Sequence, residues 1–148
     1  MLGRRLLFAF LGLLFIAGCG AEVSPPRVVI LVGEEVYGSE ASMRVLAAEF
    51  EERLGFEVEV RHGSGRQMPE PPDVEEADLL VLFLRFREPS EAQLNKLDAW
   101  LDAGKPAITL RTTSHAFWGE DLKGWFPPRF GGHFKGHAHN GAVTEVAI

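Results

Sequence analysis

Arg27-Val28-Val29-Ile30-Leu31-Val32 is apolar after its first residue and rich in β-branched side chains, and Leu79-Leu80-Val81-Leu82-Phe83-Leu84 is apolar throughout. Runs of this length without polar alternation read as strands buried on both faces, as in a parallel sheet covered by helices. Between them, Gly33 to Gly38 reads as a loop and Ser39 as a helix cap, with Ser42 in the first turn. Met43, Leu46, Ala47, Phe50 and Leu54 then fall on one helical face, and Gly55 stops the helix. Phe56 to Arg61 alternates as a second strand, and Gly63 to Pro72, rich in glycine and proline, reads as a surface loop. Beyond the third strand, Ser90 and Gln93 are spaced for a capping box. Leu94, Leu97 and Leu101 make the apolar stripe of that helix, with Trp100 beside it, and Gly104 and Pro106 end it. Ala107 to Leu110 reads as a fourth strand and Val143 to Ile148 as a fifth. Alternating strands and helices imply an α/β fold with a central, mainly parallel sheet. Ligands on such sheets bind beyond the carboxyl ends of the strands, so the polar residues just after each strand are the candidates.

The N-terminus has a different task. Arg4 and Arg5 precede an apolar run from Leu6 to Ala17 that ends in Ile16-Ala17-Gly18-Cys19. Basic residues followed by a short apolar stretch are the layout of a secretory signal. A transmembrane helix needs about 20 apolar residues, more than this run supplies. The small residues before Cys19 resemble the lipobox of bacterial lipoproteins, in which the chain is cut before the cysteine and its thiol is acylated. The expected organisation is a signal peptide over 1–18, a tether over 19–26 and one domain over 27–148. Cys19 is the one cysteine of the 148 residues, which excludes an intramolecular disulfide. The formal net charge of −6 argues against nucleic-acid binding and against electrostatic docking to a membrane. Membrane attachment is therefore expected through lipid alone, facing the periplasm or the exterior.

Several constellations are candidates for chemistry. Glu34, Glu35 and Tyr37 follow the first strand; a glutamate here is a candidate general base or ligand, although adjacent acidic residues also suit a solvated loop. Arg85 and Arg87 follow the third strand and share one side if the chain stays extended, where two guanidinium groups would hold a carboxylate or sugar hydroxyls. Arg111-Thr112-Thr113-Ser114-His115 follows the fourth. Ser114 beside His115 invites a serine-hydrolase reading, but neighbours in sequence rarely face each other and no Gly-x-Ser-x-Gly is present. Capping of a following helix is the plainer expectation for Ser114. Phe117, Trp118, Trp125 and Phe126 are expected to pack as core or lid, with stacking on a sugar ring as the alternative. His133, His137 and His139 lie in a glycine-rich stretch and are candidate ligands for a divalent metal, or line a polar pocket without one.

Val32-Gly33-Glu34-Glu35-Val36-Tyr37, the arginines after the third strand, Gly104-Lys105-Pro106, Leu110 to Phe117 and Gly131-Gly132-His133-Phe134 with His137 together resemble the trehalose-utilisation (ThuA-like) family. That family belongs to the class I glutamine amidotransferase-like superfamily. The resemblance implies a flavodoxin-like α/β sandwich and a link to sugar utilisation. It also implies further elements beyond Ile148, so a C-terminally truncated domain is expected. The elbow cysteine of the amidotransferases is absent, which removes thiolate chemistry. The leading expectation is a domain that binds or processes a small saccharide. Glu35, Arg85, Arg111, Ser114 and His137 would bind it, and His115 and His133 would do acid–base work, which suits a side chain titrating near neutral pH. A non-catalytic binding or scaffold domain and a metal-dependent hydrolase built on the histidine cluster are the alternatives.

Overall fold

The buried runs become neighbouring strands. A computed structural model describes residues 24–132, and in it β1 (Arg27–Gly33), β2 (Glu57–His62), β3 (Leu79–Leu84) and β4 (Ala107–Thr109) form one parallel sheet in the order β2-β1-β3-β4. Cys19, His133, His137, His139 and the expected fifth strand lie outside the described residues. β1 pairs β3 in register from Val28 opposite Leu79 to Gly33 opposite Leu84, and pairs β2 on its other side.

Because side chains alternate along a strand, the sheet supplies two apolar faces. Val28, Ile30, Val32, Val81 and Phe83 pack with Met43 and Ala47 of helix α1 (Ser39–Leu54). Val29, Leu31, Leu80, Leu82 and Leu84 pack with Leu97 and Trp100 of helix α2 (Glu91–Asp102). Trp125 and Phe126, at the start of the short helix α3 (Phe126–Phe130), extend that second cluster. The result is a flavodoxin-like three-layer sandwich. Its strand order reverses between β1 and β3, which places the topological switch point at their carboxyl ends.

Most local signals act as expected. Ser90 and Gln93 form the capping box of α2, and Gly55 ends α1 in a left-handed conformation. Three expectations change. Gly38, at φ 62°, occupies the N-cap of α1, and the Ser39 hydroxyl instead donates to the Glu34 carbonyl. Leu54, the last residue of α1, is exposed. The stretch from Gly63 to Pro72 is surface only in its first half; Met68, Pro69, Pro71 and Pro72 are buried. Its second half is held from α2 and the turn after it. The Gln93 side-chain amide donates to the Met68 carbonyl at 3.2 Å, and Lys105 Nζ donates to the carbonyls of Val74 and Ala77. Lys96 bridges Glu70 and Asp73 at 2.9 and 3.2 Å. Its hydrogen bond holds the Glu70 carboxyl below the usual range, and Glu70 in turn raises Lys96. Among the described residues, no helix is long and apolar enough to cross a membrane.

Trp100 anchors the α2 face. It is fully buried, donates from Nε1 to the Pro106 carbonyl at 3.2 Å and lies beneath Lys105 Nζ. Trp100→Ala should cost about 3–5 kcal/mol in urea unfolding. Val45→Ala, on the exposed side of α1, should stay within about 0.5 kcal/mol of the parent.

Candidate functional site

Beyond β1 the chain carries charge straight into the interior. Glu34 follows Gly33 and is 2% exposed. Its Oε1 accepts from the Val36 amide at 2.6 Å. Its Oε2 is closed off from solvent and accepts no hydrogen bond from a described residue; Arg85 Nε stands 3.7 Å away. That distance gives Coulomb attraction without a hydrogen bond. A buried carboxylate oxygen without a donor is costly, and such orphans call for an explanation.

Beyond β3 the chain does not stay extended. Phe86 has φ 53°, so Arg85 and Arg87 do not form the two-pronged fork that alternation predicts. Arg85 is partly exposed and faces Glu34, with its guanidinium 4.5 Å from the centre of the Phe86 ring. Arg87 turns inward and is buried. Its Nε donates to the Arg85 carbonyl at 2.8 Å and its Nη1 reaches Glu35 at 3.5 Å. The stem of Arg87 lies so close to the end of β1 that a Cβ on Gly33 would stand 2.9 Å from Arg87 Cδ. A side chain at 33 would have to push the Arg87 and Leu84 side chains aside. Glu35 is exposed, and its Oε1 also accepts from the Gly65 amide at 2.8 Å. It ties loops together as well as facing the site.

Beyond β4, Arg111 to His115 coil into a 3-10 helix. Thr112 and Thr113 fasten it to β3. Thr112 Oγ1 donates to the Leu84 carbonyl at 3.0 Å. Thr113 Oγ1 lies 2.8 Å from the carbonyls of both Leu82 and Leu110, and accepts from the Leu84 amide at 3.2 Å. Arg111 is exposed at φ 28°, with its guanidinium 4.0 Å above the Tyr37 ring. Phe86 and Arg111 are the non-glycine residues with positive φ among those described, and both stand just past a strand end. Strained backbone of this kind gathers at ligand sites. Ser114 caps no helix here: it sits inside the 3-10 turn, with its Oγ 3.3 Å from His115 Nδ1. The expectation that these neighbours would point apart fails because the 3-10 turn is tighter than an extended chain.

The groups beyond β1 and β3 border a depression of about 250 Å³ lined by Glu34, Glu35, Arg66, Arg85, Phe86, Arg87 and Trp118, whereas Ser114 and His115 line a separate cavity. Trp118 is 47% exposed, carries the Arg66 guanidinium 4.2 Å from its ring centre and meets Phe86 edge-on at 5.6 Å. Arg66 is also paired with Glu88 at 2.6 Å. Each of the lining arginines, Arg66, Arg85 and Arg87, faces a glutamate, Glu88 from outside the lining. Of the aromatic cluster, Phe117, Trp125 and Phe126 are core, and Trp118 alone is presented to solvent. Sequence reasoning favoured Glu35 over Glu34, and it did not single out Arg66. The available signal for Glu34 was its place directly after a strand buried on both faces. Among the described residues, no group of three histidine, cysteine or acidic side chains is placed to hold a metal ion. No protein-family model, curated protein or solved structure matches this chain.

Thr113→Val keeps the shape of the side chain and removes the hydroxyl that joins the 3-10 turn to β3. It should lower unfolding stability by about 1–3 kcal/mol, since buried backbone groups lose a partner. Equal stability in urea would mean that the turn is held by other means.

Proposed function

We propose that this domain binds a small neutral saccharide at the carboxyl ends of β1 and β3, and is held at a membrane by lipid on Cys19. The observation that carries the reading is the buried Glu34 Oε2, which has no hydrogen-bond donor among the described residues, beside a partly exposed Arg85. An ionised carboxylate only accepts hydrogen bonds and a guanidinium only donates them. A hydroxyl does both, so a ligand hydroxyl entering beside Arg85 would satisfy the pair together. Arg85 is the movable member because its side chain reaches solvent. Trp118, half exposed with Arg66 over one face, would stack its remaining surface on the C–H face of a sugar ring. The balance of charge around the depression favours a neutral polyol over an anion, because each arginine there already has a glutamate. The resemblance to sugar-utilisation proteins points the same way.

A catalytic version has one observation in its favour, the approach of Ser114 Oγ to His115 Nδ1. His115 would then serve as the acid–base group. Arg111 and Tyr37 would close one side, and His133, His137 and His139 would contribute from the chain beyond the described residues. Loss of turnover with retained binding in His115→Ala would identify this version.

Calorimetric titration with a panel of neutral mono- and disaccharides should give a saturable isotherm for at least one sugar. Glu34→Gln and Arg85→Ala should each weaken it by about tenfold or more, the worth of a charged hydrogen bond. A folded protein that binds none of the panel would overturn the reading. The anchor has its own test. Expressed in bacteria with a clickable palmitate analogue, the parent should take up label and sediment with membranes. Cys19→Ser should remain unlabelled and keep its leader; a labelled Cys19→Ser protein would refute lipidation at that residue.

A further inference from the structure

We infer that the ligand of this site is a saccharide bearing an apolar substituent, such as an aryl or short acyl group, which enters a second cavity behind Phe86. The inference rests on the saccharide reading above and specifies its substrate class. The cavity has a volume of about 270 Å³ and is walled by Phe86, Phe117, Leu122, Trp125 and Phe126. An apolar cavity of about 150 Å³ suffices for a benzene ring, so this one has room for an aryl group or a short chain.

The wall is fixed in advance. Trp125 donates from Nε1 to Asp98 at 3.0 Å, and Asp98 is gripped by Arg129 at 2.8 Å. Phe117 packs edge-on to Trp125 with ring centres 5.0 Å apart, and Phe126 stacks on Phe130 at 4.9 Å. A preformed apolar site avoids ordering cost on binding. The polar side chains in its lining are Ser114, His115 and Lys123. Lys123 is paired with Glu120. These are too few for the hydroxyls of a sugar ring, which have their partners in the neighbouring depression.

Phe86 is a wall common to the two spaces. It lines both the cavity and the Glu34–Arg85 depression. Its ring lies 5.2 Å from that of His115 on one side and 5.6 Å from that of Trp118 on the other. Its position is set by its unusual φ of 53° and by its amide, which donates to the His115 carbonyl at 3.2 Å. A ligand with a polar head and an apolar tail would straddle this ring, with the linking atom near Ser114 and His115.

The test compares methyl and phenyl glycosides of the same sugars by calorimetry on the full chain. The phenyl compound should bind at least about tenfold more tightly than its methyl counterpart, as expected for burial of an aromatic ring. Leu122→Trp, which fills the cavity, should abolish that gain and leave the methyl glycoside unaffected. Leu122→Phe, a milder filling, should remove part of the gain and guards against misfolding of the first variant. Equal affinity for the two glycosides would overturn this inference and leave the saccharide reading standing. Binding of phenol alone as tightly as the phenyl glycoside would also overturn it. Failure of every glycoside, methyl and phenyl alike, would overturn both.

Discussion

The parallel pairing of β1 with β3 is the constraint from which the rest follows. Both strands are covered by helices on both faces, so between Val28 and Leu84 neither can carry an exposed polar side chain. Their backbone groups are satisfied by the ladder itself. Charge can appear only where the ladder ends. The last register pair is Gly33 opposite Leu84, and the next residues are Glu34 and Arg85. A carboxylate and a guanidinium thus emerge side by side because two apolar strands end together. Burying a lone carboxylate would be prohibitive, and the nearby arginine makes Glu34 tolerable. The pair is nonetheless incomplete, since 3.7 Å is too long for a hydrogen bond.

Several costs are accepted to keep this strand end open. Gly33 gives up a side chain so that Arg87 can cross close to the backbone. Phe86 takes a left-handed conformation, and Arg111 a positive φ beside Tyr37. Each such residue costs on the order of 1–3 kcal/mol. The hydroxyls of Thr112 and Thr113 offset part of this by tying the 3-10 turn to β3, Thr112 donating to the Leu84 carbonyl and Thr113 accepting from the Leu84 amide. Held this way, Phe86 separates a charged depression from an aromatic cavity.

Much of the fold is legible in the sequence because the signals are strong and local. The unbroken apolar runs give β1 and β3, the alternation of Phe56, Val58 and Val60 gives β2, and Ser90 with Gln93 gives the start of α2. The site is less legible, for identifiable reasons. Glu34-Glu35 has the appearance of a solvated pair, and only the length of the preceding strand tells that the first of them is carried inside. Arg85 and Arg87 share a side only if Phe86 is extended, and phenylalanine gives no hint of a positive φ. The Gly63–Pro72 stretch has loop composition, yet its second half is buried, with Met68 held by Gln93 twenty-five residues away. Ser114 and His115 face each other because tertiary bonds from Thr112 and Thr113 wind the chain into a 3-10 turn. Each miss is a case of tertiary contacts overriding local chemistry.

The central claim is that Glu34 and Arg85 together receive a ligand hydroxyl at the end of β1 and β3. A crystal structure of the protein soaked with the tightest-binding saccharide tests it most directly. The account predicts a sugar hydroxyl within hydrogen-bond distance of Glu34 Oε2 or of the Arg85 guanidinium, with Trp118 against the ring face. A sugar bound elsewhere, with Glu34 Oε2 receiving its hydrogen bond from the protein itself, would contradict it.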